Sequence, residues 1–181
     1  MTANELLALT PPKNGLDRWL IDGELVERWN GTDFHSPAHA ATVVNVAALL
    51  SKWCRPIRAR AFGYGCPFLL WRDPDSLLTF DVSVVTRDVS TRPHALAEYV
   101  ETAPALAVEV VELDEDSDII ARLVETSLHH GVGTVWVVDP VEEIVVVHHR
   151  GMHPRYVNGG MILVGGDDLP GFACPVAEIF E

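Results

Sequence analysis

Lysine is nearly absent from this chain: Lys13 and Lys52 are the only two in 181 residues, and Lys plus Arg number 13 against 26 acids. The resulting formal charge of -13 disfavours non-specific attraction to phosphate backbones or anionic membranes, so DNA as a partner must overcome the field of the whole chain. Cysteine is scarce as well. Cys54, Cys66 and Cys174 are widely separated and odd in number, which argues against a disulfide framework or a Cys-x-x-Cys metal knuckle and fits a reducing cytoplasm. No apolar run reaches the roughly 18 residues of a membrane span, and MTANELLALTPPKNG lacks a basic region followed by an apolar one. An unexported, cytoplasmic protein with no membrane partner is therefore expected. No Gly-x-Ser-x-Gly elbow surrounds Ser36, Ser83 or Ser127, and no Gly-rich phosphate loop occurs, which disfavours covalent hydrolases and nucleoside triphosphatases.

What is present is a globular composition, 48% hydrophobic and 22% charged, long enough for one domain with a real core. Residues 1–16 read as a lead-in, set off by Thr10-Pro11-Pro12 and Asn14-Gly15, and residues 17–181 as the domain. WLIDGELVERW, Trp19 to Trp29, carries Asp22-Gly23 between two apolar segments, the signal of a tight hairpin, with Asn30-Gly31 closing its second strand. Pro37 to Trp53 has apolar residues at helical spacing behind a Ser36-Pro37 start. Strands are expected at 58–62, 66–71 and 77–85, with Asp73-Pro74-Asp75 turning between the last two and a loop with a helical turn over 86–102. Further strands are expected at 144–148 and, as a hairpin around Asn158-Gly159-Gly160, at 155–157 and 161–164. The tail is expected to pack Phe172, Ile179 and Phe180 onto the sheet. This order predicts one α/β or α+β domain with a mixed central sheet.

The chain is organised around Ala105 to Pro140: an apolar strand, an acid-rich turn, a helix ended by Gly131 and a second apolar strand. Glu109 lies inside the first of these strands. An unpaired buried carboxylate costs several kcal/mol, roughly what a whole domain can spare, so Glu109 needs a partner. Asp81, in the apolar run FDVSVV, is the matching acid, and two acids converging from neighbouring strands point to a metal ion or a shared proton. The bland alternative is an edge position with both acids in water.

The ordered set WLIDGELVERW, SPAHA, FDVSVV, ALAVEVVE, HHGVGTVWVVDP and DLPGFACPVAEIF resembles the Uma-two family of restriction-endonuclease-like proteins, within the PD-(D/E)XK nuclease superfamily. The resemblance implies a restriction-endonuclease-like mixed β-sheet flanked by helices, with added hairpins. It also implies that Asp81, Glu109 and the main-chain carbonyl of Val110 hold a divalent cation, Mg2+ or Mn2+, for hydrolysis of DNA phosphodiesters. The superfamily's lysine falls at Val111, or at Leu123 on the following helix, with Ser127 where a tyrosine is usual. Both lysine positions are apolar, which makes this a degenerate member with weak or lost activity, one in which Leu123→Lys should raise whatever cleavage remains. The alternative is a non-catalytic interaction module, a homodimer that keeps the fold for packing.

Three further residues are candidates beside the acid pair. Arg122 adjoins the vacated position but is rotated about 100 degrees from it and cannot act as a base; it is either a phosphate or carboxylate clamp or a solvated helix residue near Glu125 or Glu115. His39 matches a family position and either approaches the site or serves as a cap or core residue. Glu24 is either a third acid or an exposed strand residue. The turn ELDEDSD, with acids at 112, 114, 115, 116 and 118, is expected to repel a phosphodiester unless cations screen it. Asp114, Asp116, Asp118 and Glu125 match four calcium-loop positions, but Ile119 stands where that loop needs glycine. His129, His130, His148, His149 and His153 lack a zinc frame and are expected at the surface.

Overall fold

A computed structural model describes residues 1–10, 16–29, 35–86, 99–113 and 115–181. The expected turns at Pro11-Pro12, Asn14-Gly15 and Asn30-Gly31, most of the 86–102 loop, and Asp114 lie outside the described residues. Helix α1, Ala3–Leu7, opens with a capping box between Thr2 and Glu5 and joins a small apolar cluster with Leu20, Leu69 and Leu77. Strands β1, Leu16–Ile21, and β2, Glu24–Trp29, form the hairpin, their register closing at Ile21↔Glu24. Asp22 and Gly23 take φ of 49° and 80°, the left-handed pair that a tight primed turn requires.

Helix α2, Pro37–Ile57, starts where the Ser36 side chain accepts a hydrogen bond from the His39 N–H, and runs four residues past the expected end to a left-handed Arg58. Strands β3, Arg60–Gly63, β4, Pro67–Trp71, β5, Ser76–Thr79, and β6, Val82–Val85, follow. The single strand expected over 77–85 is thus two strands in two sheets. Asp81 sits at the break, where its Oδ2 accepts a 2.8 Å hydrogen bond from the Val110 N–H, so that a side chain stands in for a ladder carbonyl. Strand β7, Leu106–Val110, helix α3, Ser117–His129, and strand β8, Thr134–Asp139, form a βαβ unit with β7 and β8 parallel.

Strands β9, Ile144–His149, and β10, Arg155–Asn158, pair with each other, whereas β11, Ile162–Val164, pairs with β12, Ala173–Pro175, ahead of the short helix α4, Ala177–Phe180. The hairpin expected around Asn158-Gly159-Gly160 does not form. Met161 N–H bonds to the Asn158 carbonyl, but β10 and β11 diverge, because the Val-rich β9 offers β10 a full antiparallel register and β11 buries Leu163 opposite Cys174.

Among the described residues there are three sheets: four strands in the order β2-β1-β5-β4, six in the order β10-β9-β8-β7-β6-β3, and the β11-β12 pair. The six-stranded sheet has two buried faces, as a period of two allows. Leu106, Val108 and Val110 pack with Val46, Leu50 and Cys54 of α2. Ala107 points the other way, into a cluster with Ile120, Leu123 and Val124 of α3 and with Trp19, Ile21 and Phe68 of the smaller sheet. The odd-numbered β7 positions therefore face the seam between α3 and the hairpin. Of the tail, Phe172 and Ile179 are buried and Phe180 packs partly against the α2 cluster. No helix among the described residues is long and apolar enough to cross a membrane.

Candidate functional site

Glu109 belongs to the odd-numbered face of β7, and Asp81 immediately precedes Val82, the first residue of β6, which pairs with Val108 of β7. The Glu109 carboxyl feels the negative charge of Asp81, so the two acids are near neighbours. Asp81 is 4% exposed and Glu109 2%. Burial pushes the Glu109 carboxyl well above the ordinary carboxylate range, and the negative charges of Asp81 and Glu115 push the same way while Arg28 pulls it back.

Arg28, on β2, is the residue that sequence reasoning missed. Its guanidinium contacts Glu109 through Nη1 and Glu115 through Nε, with both carboxylates almost fully enclosed, and it lies 5.2 Å from the centre of the Trp19 ring. Burial opposes its charge, but Glu109 and Glu115 outweigh that and hold it firmly protonated. A signal existed: β2 alternates, and Val26 and Arg28 share its inward face. Glu109 thus has a basic partner within the chain, supplied by the hairpin. One oxygen remains, since Glu109 Oε2 is buried with no hydrogen-bond partner.

His39 Nε2 approaches Asp81 Oδ2 at 3.5 Å, and the ring is buried with its Nδ1 unpartnered. Burial opposes its charge, yet the hydrogen bond and charge of Asp81, followed by Glu112, outweigh this and raise its pKa. His35 stacks on His39 with ring centroids 4.0 Å apart and places Nδ1 3.5 Å from Glu112 Oε1, which also accepts the Ser36 N–H at 2.8 Å.

Two acids of the turn are tied into the structure, while Asp116 and Asp118 stay exposed. Glu112 ties to the start of α2, Glu115 to Arg28, and Asp116 caps α3 through the Asp118 N–H. Glu24 and Arg122 are brought together with each other rather than with the acid pair: they form an exposed ion pair of 2.9 Å. Glu115 is thus the neighbour of Arg28, and Arg122 has Glu24. Leu123 is fully buried in the apolar cluster under α3, and Ser127 is buried with its hydroxyl unpartnered. His130, expected at the surface, is covered by Trp71 and bonds to Asp22 at 2.9 Å, tying the end of α3 to the hairpin turn.

The donor set fits a small hard cation. Glu109 offers an orphaned carboxylate oxygen, and three acids, Asp81, Glu109 and Glu115, meet a single guanidinium and one histidine. A further positive charge, whether proton or divalent ion, would balance them.

Comparison with known proteins identifies the family and the fold. Residues 3–177 match the model of the Uma2 family, described as "Putative restriction endonuclease". No curated protein matches. A solved structure described as a "putative nuclease belonging to DUF820" from Anabaena variabilis superposes with a TM-score of 0.80 over 99% of this chain and 97% of that chain, at 19% identity. At that identity the likeness establishes a shared nuclease-like fold.

Proposed function

The chain belongs to the Uma2 family, and from that premise we propose a nuclease-fold protein in which Asp81 and Glu109, with the Val110 main-chain carbonyl, hold one Mg2+ or Mn2+. The observation that carries this reading is the buried, unpartnered Oε2 of Glu109, near enough to Asp81 for the two negative charges to oppose each other. A divalent ion bound there supplies Lewis acidity for hydrolysis of a DNA phosphodiester. Arg28 holds Glu109 through its other oxygen and opposes the effect of burial on its carboxyl, and the Val110 N–H fixes Asp81.

Cleavage is weak or lost. Val111 and Leu123, the two positions to which the resemblance assigns a lysine, carry apolar side chains, and Arg28 cannot exchange a proton at neutral pH. Absence of a positioned proton-transfer group costs about 10² to 10⁴ in rate. The -13 charge further weakens attraction to DNA.

The test is a thermal melt of the full chain with MnCl2, alongside a nicking assay on supercoiled DNA in MgCl2. A saturable rise in Tm that disappears in Asp81→Asn and in Glu109→Gln, with little nicking by the native sequence, is expected. No manganese shift would leave the other reading, a non-catalytic homodimeric module; robust nicking abolished by Asp81→Asn would overturn the claim of impaired catalysis.

A further inference from the structure

A second group of ligating side chains lies beside the acid pair and differs from it in chemistry. Donor atoms of His35, His39 and Glu112 all lie within 4.8 Å of one another. His35 precedes α2 and His39 is in its first turn, a spacing of four that stacks the two rings on one side of the helix start. Glu112 arrives from the loop after β7 and is held by the Ser36 N–H through Oε1.

Two features distinguish this group from a chance surface cluster. His39 is 97% buried, and its Nδ1 has no hydrogen-bond partner, so a polar atom has been taken from water without compensation. Glu112 and His35 already approach to 3.5 Å, close to the roughly 3.3 Å separation of two ligands on one tetrahedral ion with bonds of about 2.0–2.1 Å. His35 is about one-third exposed, so a fourth position beside it is open to solvent.

We propose that His35, His39 and Glu112 form a binding site for a borderline transition-metal ion of the Zn2+ class, with a fourth position open. Two imidazole nitrogens and one carboxylate select such an ion over Mg2+ or Mn2+, which favour all-oxygen shells. The site shares no ligand with the Asp81–Glu109 pair, and the Nε2 of His39, facing Asp81, links the two.

The experiment uses the full chain stripped of metal and titrated with zinc sulfate by calorimetry, with Co2+ as a spectroscopic probe of nitrogen ligation. One Zn2+ per chain is expected, weakened at least about tenfold in His35→Ala and in Glu112→Gln, since even residues that merely support a ligand cost 10–100-fold when lost. The manganese shift in Tm should persist in both variants. Circular dichroism of the metal-free variants separates loss of the site from loss of the fold, and the exposed His35 is the substitution least able to disturb folding. Absence of zinc binding, or equal binding by His35→Ala in the folded state, would overturn the proposal. Loss of the manganese shift alone would count against the acid-pair site instead.

Discussion

The Arg28 guanidinium rests against the Glu109 carboxylate across 81 positions of sequence, with both side chains enclosed by the hairpin, β7 and the turn before α3. A buried charge pair is costly to break because the survivor is stranded in a poorly solvating interior. This contact joins the four-stranded sheet to the six-stranded one at Glu109.

Arg28→Met should lower the unfolding free energy by about 3–5 kcal/mol, because Glu109 and Glu115 both lose their counter-charge. Urea denaturation reads this directly. Adding Glu109→Gln and Glu115→Gln to the same chain should recover most of the loss, since no stranded anion remains. Stability unchanged in Arg28→Met would show that the pair does not form.

Leu123→Lys, which the family resemblance suggests as a restoration, should instead destabilise. Leu123 is fully buried among Ile120, Val124 and the surrounding apolar cluster, so the new ammonium is placed in an apolar environment at a cost of several kcal/mol. A lower Tm with no gain in nicking is expected. A gain in nicking at unchanged Tm would mean that position 123 reaches the acid pair.

Glu24→Ala and Arg122→Ala should each change stability by no more than about 0.5 kcal/mol, since their ion pair is exposed and screened by solvent. Neither should alter the manganese response. A loss of that response in either variant would return these residues to the site.

The cysteine thiols should be unreactive in the folded chain. Burial penalises the thiolate and pushes Cys54 and Cys174 up to about 11, and Cys66 upward as well, so at pH 8 little nucleophile exists. Labelling with an aromatic disulfide reagent should be slow at pH 8, faster as pH rises toward those values, and rapid at all three sites in denaturant. Rapid labelling of Cys54 in the native chain would contradict its burial.

The sequence by itself determined the local units. Asp22-Gly23 sets its hairpin through left-handed φ, Ser36-Pro37 starts α2, and the Ala105–Pro140 stretch reads as the βαβ unit because apolar period and caps are carried by neighbours in the chain. It also singled out Asp81 and Glu109, because a carboxylate in an apolar strand conflicts with its surroundings wherever the strand packs. The partners were decided only by tertiary structure. The split of 77–85 between two sheets, the divergence of β10 from β11, the pairing of Arg28 with Glu109 and the meeting of His35, His39 and Glu112 all depend on which strand or loop lies alongside. Those choices depend on long-range packing, in which residues some 80 positions apart become neighbours for reasons that no local window contains.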